Sequence, residues 1–213
     1  QLIQWKNQNL SSLIDGLNWI GEIEKLNSFA NLLYNHPYYI FPKINSQNIL
    51  QWEGLAHPLM GAKGVANSLN FDPFSLVILT GSNMSGKSTF LRALGVNSVL
   101  AYAGAPVFAQ KANVCVLPIL ASMRLTDSIN ENTSYFFAEI KKLKSIVDIA
   151  KNQPALILLD EILRGTNSVD KQQGTIEFIK KIKDFNGKVI IATHDLEVCD
   201  LAKKYPVDIQ NYC

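Results

Sequence analysis

Apolar residues at positions 10, 13, 14 and 17, and again at 20, 23, 26, 29 and 33, recur at helical spacing and predict one long helix over 8–34. Any bend in it is expected near Gly16 or Gly21. Asn35-His36-Pro37 ends it, because proline restricts the residue before it and has no N–H to donate. Such a helix is either a packing element or the end of a connection to something further. From residue 38 onward the pattern switches to short apolar runs separated by amphipathic stretches. Strands are predicted over 49–55, 74–80, 114–117, 119–125, 155–159 and 188–192, with Pro118 interrupting the third and fourth. Helices are predicted over 88–102, 134–151, 169–183 and 196–204. Unbroken runs such as Leu76-Val77-Ile78-Leu79 suit strands covered on both faces. Together these predict an α/β fold with a mostly parallel sheet flanked by helices, preceded by a helical segment.

Composition narrows the picture only a little. A chain of 213 residues can bury one substantial core. Its 47% hydrophobic and 18% charged content is ordinary for a folded domain, and a net charge of +2 gives no footprint for nucleic acid. Lysines at 141, 142 and 144 and at 180, 181 and 183 fall on predicted helices, where a solvated face accounts for them. Cys115, Cys199 and Cys213 form no CxxC pair and read as free thiols in a reducing compartment. No apolar run approaches the ~20 residues needed to span a bilayer, so a cytoplasmic protein without membrane contact is expected.

The chemistry concentrates in three blocks. Gly81-Ser82-Asn83-Met84-Ser85-Gly86-Lys87-Ser88 fits G-x-x-x-x-G-K-[ST], placed after an apolar strand and before a helix. Glycines let the backbone curl so that amides point at phosphate oxygens, and the helix behind presents its positive end. Lys87 would reach the β- and γ-phosphates, the Ser88 hydroxyl would ligate Mg²⁺, and Thr89 follows in the same turn. A bare glycine turn would not need this lysine and hydroxyl. The run Leu156-Ile157-Leu158-Leu159 ends in Asp160-Glu161. Asp160 would hold the metal's hydration shell, and Glu161 would act as general base toward water. Adjacent acids at a strand end are common on surfaces, and it is their pairing with the loop that points to ATP hydrolysis. Ile190-Ile191-Ala192-Thr193-His194 is a third apolar strand with a polar end, and His194 there could meet the γ-phosphate or the water.

These blocks, in this order, resemble the ATPase domain of the MutS DNA mismatch-repair family. The resemblance rests on Thr80 to Thr89 with its internal Asn83-Met84, on Asp160-Glu161-Ile162-Leu163-Arg164-Gly165-Thr166-Asn167-Ser168, and on Ala192-Thr193-His194. Ser134-Tyr135-Phe136-Phe137-Ala138-Glu139 is similar to the family's S-T-F-x-x-E element. His57-Pro58 and Val65-Ala66-Asn67 are weaker likenesses, and Glu24 to Ala30 resembles the end of the family's helical core domain. It implies a P-loop NTPase of ABC-type architecture that binds Mg-ATP, with 1–44 ending a core domain and 45–213 forming an ATPase domain cut short at its C-terminus. It also implies a homodimer, or a heterodimer with a paralogue, in which each ATP lies between two subunits. Ser134 would act in trans, with Arg164, Thr166 and Asn167 at the contact, and His57 and Val65 near the adenine. DNA would be engaged by domains outside this chain. The sequence departs from the family at Ser82 for proline, Leu163 for glycine, Tyr135 for threonine and Asn132 where a glycine usually precedes the serine. Two other readings compete. One is an ABC-type ATPase of transport or chromosome organisation, whose Ser-Gly-Gly-type signature is not found in this sequence. The other is a nucleotide-gated interaction module with little turnover.

Overall fold

The computed structural model describes residues 2–212 except 83, 124–131 and 164–165, and gives the backbone alone at 2, 62–63, 132–135 and 196. In chain order the elements are α1 (Leu2–Asn35), β1 (Lys43–Asn45), β2 (Leu50–Leu55), a 3-10 helix (Pro58–Lys63), β3 (Asn67–Asn70), β4 (Leu76–Leu79), α2 (Lys87–Tyr102), β5 (Lys111–Cys115), β6 (Ile119–Ser122), α3 (Asn132–Ala150), β7 (Leu156–Asp160), α4 (Ser168–Ile182), β8 (Lys188–Ala192), α5 (Leu196–Lys204) and β9 (Ile209–Tyr212).

The predicted α/β architecture is present. Five strands in the order β6-β7-β8-β4-β9 form a sheet in which every pairing is parallel. Alternation within its strands divides the core in two. Val77, Leu156, Leu158, Ile190 and Ala192 point to one side, where they meet Leu91 and Leu94 of α2 and residues of a second sheet. Leu76, Ile78, Ile157, Leu159, Val189 and Ile191 point to the other. There they pack with Leu143 and Ile146 of α3, Ile179 and Ile182 of α4, and Val198 and Leu201 of α5. Burial on both faces is why these strands read as unbroken apolar runs. Each fully buried Leu or Ile contributes on the order of 1.5–3 kcal/mol relative to an exposed one.

The second sheet differs from expectation. Its order is β1-β5-β2-β3, with β1 and β5 parallel and the other pairs antiparallel. The strands expected at 114–117 and 119–125 therefore belong to different sheets. Lys111–Cys115 pairs antiparallel with β2 and buries Ala112, Val114 and Cys115, whereas Ile119–Ser122 is the edge of the parallel sheet. Pro118 sits in the crossing between them, where its missing N–H costs no ladder bond. β9 was not expected at all. Only Ile209 among its four residues is a buried apolar side chain, and its stability comes from pairing with β4.

The long helix starts six residues earlier than its apolar spacing suggested and runs unbroken past Gly16 and Gly21. None of its described side chains is buried, and Ile3, Trp5, Leu17, Trp19, Ile23 and Leu26 are each more than half exposed. Among the described residues no helix is long and apolar enough to cross a membrane.

Candidate functional site

Strand order brings the three predicted blocks together. Leu79 lies opposite Ala192, and Ala192 opposite Asp160, so β4, β8 and β7 end at one level. The carboxyl edge of a parallel sheet is where ligands gather in such folds. Because β8 separates β7 from β4, His194 emerges between the glycine loop and the acidic pair.

The loop is built by its glycines. Gly81 and Gly86 have φ of 150° and 92°, and a Cβ on Gly81 would stand 2.7 Å from Ser85 Oγ. Gly86 then serves as the N-cap of α2. On the entering side, the Thr80 amide and hydroxyl donate to the Tyr212 carbonyl oxygen at 2.8 and 3.2 Å, so β9 braces the start of the loop. Lys87 is buried as the first residue of α2. Its Nζ donates to the carbonyl oxygens of Gly81 at 2.6 Å and Ser82 at 2.8 Å, with Ser85 Oγ at 3.4 Å. The ammonium group thus lies across the mouth of its own loop. Ser88 follows in the first turn, half-buried, and Met84 is fully exposed with φ of 68°. Asn83 lies outside the described residues.

Asp160 is buried, and among the described residues its Oδ1 accepts no hydrogen bond. A carboxylate oxygen taken out of water without a donor is costly unless a cation compensates it. Asp160 with Ser88 therefore fits a hydrated divalent ion, whose ordinary ligands are carboxylate, hydroxyl and water oxygens. Glu161 turns away from the strand with φ of 47° while its amide still donates to the Ala192 carbonyl oxygen at 2.9 Å. Its carboxylate oxygen lies 3.2 Å from Nδ1 of His194, whose side chain is about half exposed. Thr193 donates from its amide to the Leu79 carbonyl oxygen at 3.0 Å, fixing this block to the P-loop strand.

Two adjoining cavities open beside the loop. The larger, about 390 Å³, is lined by His57, Val65, Met84 and Thr89 among others. The smaller, about 180 Å³, runs past Thr80, Gly81, Lys87 and Tyr212. Asn67, Ser85, Gly86 and Phe90 line both. His57 caps the 3-10 helix, its Nδ1 accepting from the Leu59 amide at 3.2 Å, which leaves Nε2 to carry the ring proton. The upstream segment is thereby placed against the loop despite the weak likeness that pointed to it. Phe90 and Tyr212 escaped sequence reading. Phe90 only continues the helix pattern after Thr89, and Tyr212 reaches the cavity through the pairing of β9.

The residues expected at a subunit contact are placed less fully. Asn167 is the N-cap of α4, accepting from the Asp170 amide at 2.8 Å and donating to the Asp170 carboxylate at 2.7 Å, so it already has a local task. Thr166 is half-buried just before it. Ser134 falls in the first turn of α3, but its side chain and all of Arg164 lie outside the described residues.

A parallel sheet in which an inner strand, β4, runs through a glycine loop into a helix, with an acidic pair at the end of β7 two strands away, defines the P-loop class of α/β domains. Within that class the chain belongs to the MutS family, since the family profile for MutS domain V matches residues 77–212. It is 34% identical to the DNA mismatch repair protein MutS of Haloquadratum walsbyi over 182 residues, which is 82% of this chain and 19% of that protein. Likeness to the MutS proteins of Thermotoga petrophila, at 33% over 89% of the chain, and Finegoldia magna, at 31% over 92%, is similar. The chain spans 24% of the length of each of these two. Membership sets aside the transport-type reading.

Proposed function

We infer that this chain binds Mg-ATP in the paired cavities and hydrolyses it, and that turnover serves DNA repair of the mismatch type named for its relatives. The observation that carries the reading is the convergence of Lys87, the bare Asp160 oxygen and the Glu161–His194 pair at three adjacent strand ends. Lys87 exchanges its two loop carbonyls for phosphate oxygens when nucleotide enters. Asp160 and Ser88 hold Mg²⁺, which supplies charge neutralisation on the phosphates. Glu161 takes a proton from the attacking water, and His194 orients that carboxylate. The cavity between His57, Val65 and Phe90 takes the adenine. The site is completed by a second copy or a paralogue through Ser134, Arg164, Thr166 and Asn167, and DNA is engaged by other parts of the protein.

Two substitutions test it. Lys87→Ala should abolish ATP binding in a fluorescence titration, because the phosphates lose their principal cation; unchanged affinity would overturn the site. Glu161→Gln should bind normally and lose turnover by about 10²–10⁴-fold, the range for a general base. If the wild type binds ATP without measurable turnover even as a dimer, the chain is a nucleotide-gated module instead.

A further inference from the structure

Sequence reading gives Ser134 a task but leaves Glu139, five residues further along α3, without one. The Glu139 carboxylate accepts from the backbone amide of Leu163 at 3.0 Å, across 24 residues of sequence. That amide closes the turn that leaves Asp160. The turn has an uncommon backbone: Glu161 and Leu163 both lie in the left-handed region, with φ of 47° and 60°. Neither is glycine, so each conformation is strained and persists only where surrounding contacts impose it. Two such contacts meet at Leu163. On one side is the charge-assisted hydrogen bond from its amide to α3. On the other, its buried side chain is pressed onto Gly174 of α4, where a Cβ would stand 2.6 Å from Leu163 Cδ1.

We propose that Glu139 is a positioning residue, which by holding the Leu163 amide fixes the 160–163 turn and so aims Asp160 and Glu161 at the metal and the water. The proposal rests on the Mg-ATP reading above. Without this acceptor the turn relaxes toward ordinary backbone, and the carboxylates at the last residue of β7 and just beyond it lose their aim while the glycine loop is untouched.

The test is ATP affinity of the full chain measured with Mg²⁺ and with EDTA, in the wild type and in Glu139→Ala, Glu139→Asp and Glu139→Gln. Partners that orient metal ligands typically govern 10–100-fold in metal affinity. The gain in ATP affinity from Mg²⁺ should therefore fall by about tenfold or more in Glu139→Ala, with affinity in EDTA unchanged. Glu139→Asp retains the charge but falls one methylene short, and should behave like the alanine variant. Glu139→Gln offers an amide oxygen at the same reach and should retain the gain. Hydrogen exchange at the Leu163 amide should accelerate in the first two variants only. Should Glu139→Ala not fold, the contrast between Asp and Gln decides the matter. An undiminished Mg²⁺ gain in Glu139→Asp, or its equal loss in Glu139→Gln, overturns the role of Glu139 and leaves the nucleotide site standing. A wild type that binds no ATP under either condition overturns the nucleotide reading itself, and this inference with it.

Discussion

Lys188 opens β8 with its side chain buried, Nζ lying 3.4 Å from the Phe74 carbonyl oxygen and 5.8 Å from the Phe71 ring centre. Burial pushes its ammonium below the usual lysine range, against a smaller opposing pull from Cys115 and Asp72. Burial likewise pushes the Cys115 thiol up. With its folded value below the unfolded 10.5, the unfolded chain binds more protons, so stability rises with pH through that window. The penalty is complete below the folded value and gone above the unfolded one. Lys188→Met should therefore raise the melting midpoint at pH 7, and its advantage should shrink as pH approaches 10.5. An advantage that stays constant across that range would mean the lysine is not desolvated. None of this is legible in the sequence, where Lys188 reads as the polar edge of an apolar strand. Lys87, Asp160 and Glu161 are legible because their chemistry is carried by immediate neighbours, whereas the left-handed backbone at Leu163 is held by contacts from helices distant in sequence.

α2 is joined to its neighbours by a buried polar side chain as well as by apolar packing. Asn97 of α2 is fully buried, and its side-chain amide donates to the carbonyl oxygens of Ala56 at 3.0 Å and Ala93 at 2.8 Å. Its oxygen accepts from the Phe108 amide at 2.8 Å. The helix that starts at the glycine loop is thus tied to the residue preceding His57 and to the loop leading into β5. Asn97→Ala strands the Phe108 amide and the Ala56 carbonyl, at about 1–3 kcal/mol for each unsatisfied buried group. For a domain of this size each 1 kcal/mol moves the melting midpoint by about 2–4 °C, so the two stranded groups together should lower it by roughly 4–24 °C in a thermal melt. A fall of no more than about 2 °C would mean that water replaces the amide. Periodicity located α2, β7, β8 and α5 because each is buried along a regular face. It did not locate β1, β3 or β9, which are three or four residues long and mostly polar. Such strands exist through their partners, and partners are not written locally.

At the scale of the whole molecule, the question is what completes the site. Asp160, Glu161 and His194 face the P-loop from one chain, but the family resemblance assigns the γ-phosphate a second contact, from Ser134 of another copy. Mass in solution, by light scattering, separates the two arrangements. Glu161→Gln should bind ATP without consuming it, so any nucleotide-bound dimer would accumulate rather than turn over. We expect that variant to be a monomer without nucleotide and a dimer with Mg-ATP, and Ser134→Arg added to it should return the monomer while leaving ATP binding intact. Association has another route that the same experiment exposes. The exposed apolar residues of α1, Trp5, Leu17, Trp19 and Ile23 among them, could hold copies together without reference to the nucleotide. A dimer of equal strength with and without Mg-ATP, insensitive to Ser134→Arg, would place the contact on that helix. A monomer in both conditions, with ATP bound, would refute the trans role of Ser134 in this chain and leave hydrolysis to the groups of a single subunit.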